Sequence, residues 1–313
     1  MKYILTLLLS FIISAHAAQS QSPLEIIVPL PPGGPTDSLA RAVQLYLTKS
    51  LSRNVIVVNK PGADGRIASR YAVSKPSDGS SLVIIGTGPF VYNKVLYSNL
   101  GYDYSEFDMV LPIVRTPVGI MVSADSKIST LSELVNYSTK NQLNCGVSNS
   151  GGKLIAGYLK VKLEMSSSVL IVPYTGSGPA INDLLGGHIN CVVDAVSSYK
   201  SYHLAKKIKI IALTGNDQIV ELGHIPLVKE SLPEFVIFNW FGVGILKGTP
   251  DDIKHQILSS LKHINNDADF LKSVAATGLD ATRSSDTPTK LLDTEYKKIS
   301  DIAKVLAIPK TVD

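Results

Sequence analysis

The sequence predicts an α/β protein of two lobes, each a mainly parallel sheet flanked by helices, with a ligand cleft between them. Three observations predict it. Short β-branched runs alternate with amphipathic helical segments along most of the chain, the pattern of parallel strands covered on both faces. Two longer β-type runs, "TPVGIMVSA" at 116–124 and "FVIFNWFGVGIL" at 235–246, bracket a βα segment of roughly 110 residues, itself of domain size. From Thr249 onward the pattern is helical throughout. If the bracketed segment is a second lobe inserted into the first, the two long runs are the crossings, which is the plan of a hinge protein that grips a ligand between domains.

The elements follow in order. Lys2, the apolar run Tyr3–Ser14 and Ala15-His16-Ala17 read as a secretory signal peptide over residues 1–17, too short to span a bilayer comfortably. The mature chain is then expected in a bacterial periplasm, with no direct membrane insertion. Eight runs read as strands: "LEIIVPL" (24–30), "VIVVNK" (55–60), "SLVIIGTG" (81–88), "VGIMVSA" (118–124), "LNCGVSN" (143–149), "VLIVPY" (169–174), "INCVVDA" (189–195) and "IKIIALTG" (208–215). A helix from Asp37 to Ser50 places Leu39, Val43, Tyr46 and Leu47 on one stripe. "GGKLIAGYLKVKLEM" and "PAINDLLGG" give two more, the second opened by Pro179 and closed by Gly186-Gly187. Thr249-Pro250-Asp251-Asp252 starts a helix with Thr249 as its cap, and Thr287-Pro288 starts the last. The division expected is lobe one over 18–122, lobe two over 123–236, and a return to lobe one over 237–313.

In open α/β sheets, ligands bind beyond the carboxyl ends of strands. At those ends lie Pro32-Gly33-Gly34-Pro35-Thr36-Asp37, Gly86-Thr87-Gly88, Ser148-Asn149-Ser150-Gly151-Gly152, Thr175-Gly176-Ser177-Gly178 and Asp194. Glycines admit close backbone approach, Ser and Thr add neutral donors, and three of the loops run into helix N-termini, where free N–H groups and the dipole favour an anion such as a carboxylate. Each loop alone is also explained by ordinary helix capping. Asp37 fits a capping or turn-ordering role, or reception of a ligand amine. Asp194, ending an apolar strand, is expected to face the cleft.

These residues also carry a resemblance. The chain resembles the extracytoplasmic solute receptors of tripartite tricarboxylate transporters, the Bug receptors. Four collinear stretches carry it: "VPLPPGGPTDSLAR", "VIVVNKPGADGRIASRYAVSKPSDGSSLVI", "VPYTGSGPAINDLLGGHINCVVD" and "WFGVGILKGTP". The resemblance implies a type II periplasmic-binding-protein-like fold that holds a small carboxylate in its cleft and presents it to membrane permease subunits. It implies as ligand-binding residues Gly33, Gly34, Thr36, Asp37 and Thr87 on lobe one, and Thr175, Gly176, Ser177 and Asp194 on lobe two. Family members usually have a Gly-Ser pair and a downstream His in the loop before the second-lobe helix. Here "CGVSNSGGKLIAG" is shorter and lacks that His, with Ser148, Asn149 and Ser150 as candidates and Asn149 where Gly is common, a change that asparagine's tolerance of left-handed backbone permits.

Other classes find little support. The formal charge of +4, with no basic stripe, argues against nucleic acid. No phosphate loop, dinucleotide fingerprint or G-x-S-x-G elbow occurs, and the histidines are scattered without metal-ligand spacing, so no enzyme, cofactor or metal is expected. A ligand sensor that docks on a signalling protein uses the same closure as a transport receptor, so the sequence does not separate them. A monomer is expected, since neither the cleft nor permease docking requires a second subunit. Cys145 and Cys191 are either two buried thiols or a disulfide pair.

Overall fold

The computed structural model describes residues 22–217, 219–281 and 288–311. The segment read as a signal peptide and Thr287 lie outside them. Strand β1 (Leu24–Val28) pairs in parallel with β2 (Val55–Asn59) and β3 (Ser81–Gly86). Between them run α1 (Pro35–Leu51) and α2 (Arg66–Val73). After β3 the chain winds through a single wide turn, Gly88–Tyr92, into α3 (Asn93–Leu96). Strand β4 (Phe107–Ser123) then leaves this sheet for a second one.

The second sheet contains β5 (Leu143–Val147), β6 (Val169–Pro173) and β7 (Cys191–Ala195), all parallel, with β8 (Ile208–Leu213) antiparallel to β4. Its helices are α4 (Leu131–Lys140), α5 (Ser150–Lys162), α6 (Ser177–Leu185) and α7 (Lys200–Leu204). Strand β9 (Phe238–Leu246) returns to the first sheet and lies antiparallel between β3 and β4. Helices α8 (Asp251–Leu261), α9 (Ala268–Ala276) and α10 (Pro288–Val305) complete the chain, with a two-residue strand β10 (Asp280–Ala281) on β4. Along β4, Phe107–Pro117 pairs with β9, whereas Val118–Val122 pairs with β7 and Gly119–Ser123 with β8. The change of partner falls between Pro117 and Val118.

Periodicity explains the helices. Leu39, Val43 and Leu47 of α1 are fully buried against β1 and β3, with Ile257 of α8 and Phe270 of α9 in the same cluster. The central core joins Ile27, Val83 and Ile85 of the first sheet to Val118, Ile120, Leu143 and Val193 of the second, with Ile299 and Ile302 of α10 laid against it. A third cluster lies under α6 and β8, around Ile181, Leu184, Tyr199 and Ile210.

Four details differ from the sequence reading or close a question it left open. Strand β4 begins at Phe107 rather than near 116, because Pro112 and Pro117 break the alternation and the pairing with β9 shifts register at Met109/Leu111 and Pro112/Val114. The C-terminal part is not wholly helical, since β10 intervenes. Thr249 does not cap α8. Pro250 stands at the cap, and the Thr249 hydroxyl donates back to the Leu246 carbonyl at 2.7 Å. Finally, Cys145 and Cys191 are register partners on β5 and β7, their Cα atoms 4.5 Å apart, and form a disulfide.

Candidate functional site

The first-lobe turn is organised by Asp37. Its carboxylate accepts the Gly33 N–H at 3.0 Å, Arg41 Nε at 2.9 Å and Asn59 Nδ2 at 3.0 Å, and the residue is only 3% exposed. Asn59, at the end of β2, also donates to the Leu30 carbonyl, tying the strand to the turn. Burial raises the Asp37 carboxyl, but the bonds from Arg41, Gly33 and Asn59 outweigh it, and the pKa falls below its ordinary 3.8. Asp37 thus shapes the turn from within, the turn-ordering role among those its sequence position allowed. Thr36 beside it is 2% exposed. Gly33 has φ of +87°, a conformation for which glycine is suited, and a Cβ built there meets nothing within 4 Å. At Gly34 the only neighbour of such a Cβ is the Pro31 carbonyl oxygen at 4.0 Å. The backbone of this turn therefore presents an open face. Thr87 does not. It is 1% exposed, and its hydroxyl accepts the Trp240 N–H of β9 at 2.9 Å.

The second-lobe loops are organised by Asp194, at the end of β7. Its carboxylate accepts the Ala195 N–H at 2.7 Å, Ser177 Oγ at 2.9 Å, Tyr199 Oη at 3.1 Å and Asn149 Nδ2 at 3.3 Å. With 2% exposure, Asp194 is turned into the lobe instead of presenting its carboxylate to the cleft. Burial pushes its pKa up, and the donors, Ser148 among them, reverse this only in part. Asn149 also caps α5, its Oδ1 accepting the Gly152 N–H at 2.9 Å. Its backbone is extended, with φ of −161°, so the left-handed region that asparagine tolerates is not used. Ser148 and Ser177 hydroxyls meet at 3.4 Å, which joins the loops after β5 and β6. Thr175 is exposed. At Gly176 (φ +134°) and Gly178 a built Cβ meets nothing within 4 Å, so this loop too is open to approach.

The lobes meet at the start of α5. Ser150 Oγ hydrogen-bonds Asp64 Oδ2 of the turn before α2, and a Cβ at Gly151 would lie 2.4 Å from the buried Tyr92 ring. That turn packs on the ends of β1 and β3: a Cβ at Gly65 would lie 3.1 Å from Pro29 Cβ and 2.6 Å from Pro89 Cγ. Asp64, Asn59, Arg41, Tyr92 and Tyr199 are site-forming residues that the sequence reading passed over. Asn59 and Asp64 lie inside the quoted stretch "VIVVNKPGADGRIASRYAVSKPSDGSSLVI", where the Gly62–Gly65 spacing is the one signal of a tight turn. Tyr92 and Tyr199 look like ordinary core aromatics in sequence.

Two lobes sharing a strand, each with Gly/Ser loops at its strand ends and touching at Ser150 and Asp64, have the plan of a two-lobed solute-binding receptor. The chain belongs to the tripartite tricarboxylate transporter receptor family, which matches residues 39–308. It is 28% identical over 262 residues to a UPF0065 protein from the tcbD–tcbE intergenic region of Pseudomonas sp. strain P51, covering 82% of this chain and 78% of that one. Among solved structures, an R. palustris protein with adipate superposes with a TM-score of 0.84 at 25% identity, covering 94% of this chain and 100% of the other. The periplasmic binding protein BugD gives 0.81 at 26% identity, over 93% and 99%. The family and the two-lobed fold expected from the sequence are borne out.

Proposed function

We propose that the protein is a periplasmic receptor that captures a small carboxylated metabolite between its lobes and delivers it to the permease of a tripartite tricarboxylate-type transporter. One observation carries this reading. Both acids at the strand ends, Asp37 and Asp194, are turned inward to hold their loops, which leaves backbone amides and hydroxyls at the gap. Away from Asp64, which hydrogen-bonds Ser150 at the start of α5, such a surface is neutral, rich in donors and set at the N-termini of α1 and α6, which suits an anion without a counter-ion. Gly33, Gly34, Ser148, Ser150, Thr175, Gly176 and Ser177 are the contacts in this reading, while Thr36, Asp37, Thr87, Asn149 and Asp194 keep them in place. The division into 18–122, 123–236 and 237–313, with removal of 1–17 on export, belongs to the same reading. The adipate carried by the R. palustris neighbour supports a carboxylate as ligand.

The test is native mass spectrometry of the mature protein as purified, followed by a melting screen against small carboxylic acids. Ligand at a hundred times its dissociation constant adds about 2.7 kcal/mol, a rise of a few degrees in Tm. A well-folded protein that carries no acid and shifts with none overturns the proposal.

A further inference from the structure

Resting on that reading, we propose that Asp64 sets the ligand class: the receptor takes acids with a single carboxylate, bearing a hydroxyl, an ammonium or no polar group at the far end, and discriminates against α,ω-dicarboxylates. Asp64 belongs to lobe one but hydrogen-bonds Ser150, the first residue of α5 in lobe two. It thereby brings the protein's own carboxylate to one of the helix starts that a carboxylate ligand would seek. A Cβ would meet little at Gly33–Gly34 and at Gly176 and Gly178, and on this proposal the ligand's one carboxylate goes to these open loops. A second carboxylate reaching toward Ser150 meets a like charge in a partly closed site, where such repulsion is poorly screened. A hydroxyl or ammonium there instead finds an acceptor.

The backbone shows that this placement is built. Gly62, Ala63, Asp64 and Gly65 all have positive φ, at +120°, +48°, +52° and +86°. Two of the four are non-glycine residues in the left-handed region, which is disfavoured for side chains with a Cβ and persists where the surroundings hold it. Here Asn93, fully buried, donates Nδ2 to the Asp64 carbonyl at 3.0 Å, and Pro29 and Pro89 pack beneath Gly65. The left-handed turn carries the Asp64 side chain across to the other lobe.

The experiment is calorimetric titration of the mature protein with a matched series of four- to six-carbon acids: the simple monocarboxylate, its ω-hydroxy and ω-amino forms, and the dicarboxylate. The wild type should bind the best of the first three at least tenfold more tightly than the dicarboxylate. In Asp64→Asn, which keeps the acceptor for Ser150 and tolerates the left-handed backbone, that ratio should fall at least tenfold. A preference of the wild type for the dicarboxylate overturns the proposal, because Ser150 is then yielded to the ligand. An unchanged ratio in Asp64→Asn, with both affinities lowered together, overturns it as well and leaves Asp64 a purely structural contact. No binding by any acid overturns the receptor reading itself.

Discussion

Burial raises both carboxyls, but at Asp37 the bonds from the Arg41 guanidinium, Gly33 and Asn59 outweigh it, whereas at Asp194 burial outweighs the hydroxyl and amide donors, and the two shift in opposite directions. With its folded pKa below 3.8, Asp37 stabilises the fold above that pH, and the contribution is lost as pH falls through the folded value. Asp194 has the other sign. Its contribution is full below 3.8 and is lost as pH rises through its raised folded pKa. The opposing trends blur the wild-type profile, so the check is a variant. Asp37→Asn should cost about 1–3 kcal/mol near neutral pH, and its urea midpoint should converge on the wild type well below 3.8. A gap of equal size at both pH values would show that shape, not charge, explains Asp37. At Gly34 the prediction concerns access. Its φ of −86° and ψ of 172° suit valine, so Gly34→Val should cost about 1 kcal/mol of stability through the poorer cap. Ligand affinity should fall at least tenfold, and unchanged affinity would remove this turn from the site. At this scale the sequence announces its glycines but not the direction of its acids. Asp194 reads as a cleft residue because it ends an apolar strand, and only the convergence of Asn149, Ser177 and Tyr199 from three separate elements turns it inward.

Elements were the most legible level. β-branched runs and the stripe of Leu39, Val43 and Leu47 expose β1–β3 and α1 because burial imposes the period directly. The first half of β4 was hidden, since its prolines and register shifts erase that period. What the elements do to one another is legible only in space. Gly151 and Gly152, adjacent at the start of α5, differ in what they face: a Cβ at the first meets the Tyr92 ring of the other lobe, and at the second the Val193 carbonyl oxygen of its own lobe at 2.8 Å. Gly151→Val should therefore hold the lobes apart with little loss of secondary structure, raising the radius of gyration in solution scattering and weakening ligand binding. Scattering identical to the wild type would count against this contact as the point of closure. The disulfide makes a second prediction for elements. It closes a loop spanning a sequence separation of 46, worth up to about 4 kcal/mol by loop entropy. Replacing both cysteines with serine should lower Tm by roughly 5–10 °C while ligand binding persists at lower temperature. An unaltered melt would mean the bond adds nothing to the fold.

For the whole molecule, the alternation of strands and helices and the two long β-type runs were enough to indicate two lobes, because a chain that leaves and re-enters a sheet needs long crossings. They did not indicate how intimately the lobes are fused. Strand β4 is hydrogen-bonded into both sheets, so the ten strands of the described residues form one continuous sheet, and the core around Ile27 and Val83 continues into that around Ile120 and Val193. Helix α10 adds to this from outside: Leu306, just past its end, packs against Gly157 of α5. A consequence follows for dissection of the protein. A fragment cut at 123–236 loses the strand that flanks both β7 and β8, and the remainder keeps Val118–Val122 of β4 with neither of those partners. Neither piece should therefore fold as an autonomous unit, and a fragment of 123–236 with a cooperative melt of its own would contradict this. The intact chain should lose its structure all at once, with equal calorimetric and van't Hoff enthalpies, and hydrogen exchange should find the slowest amides of both lobes opening together.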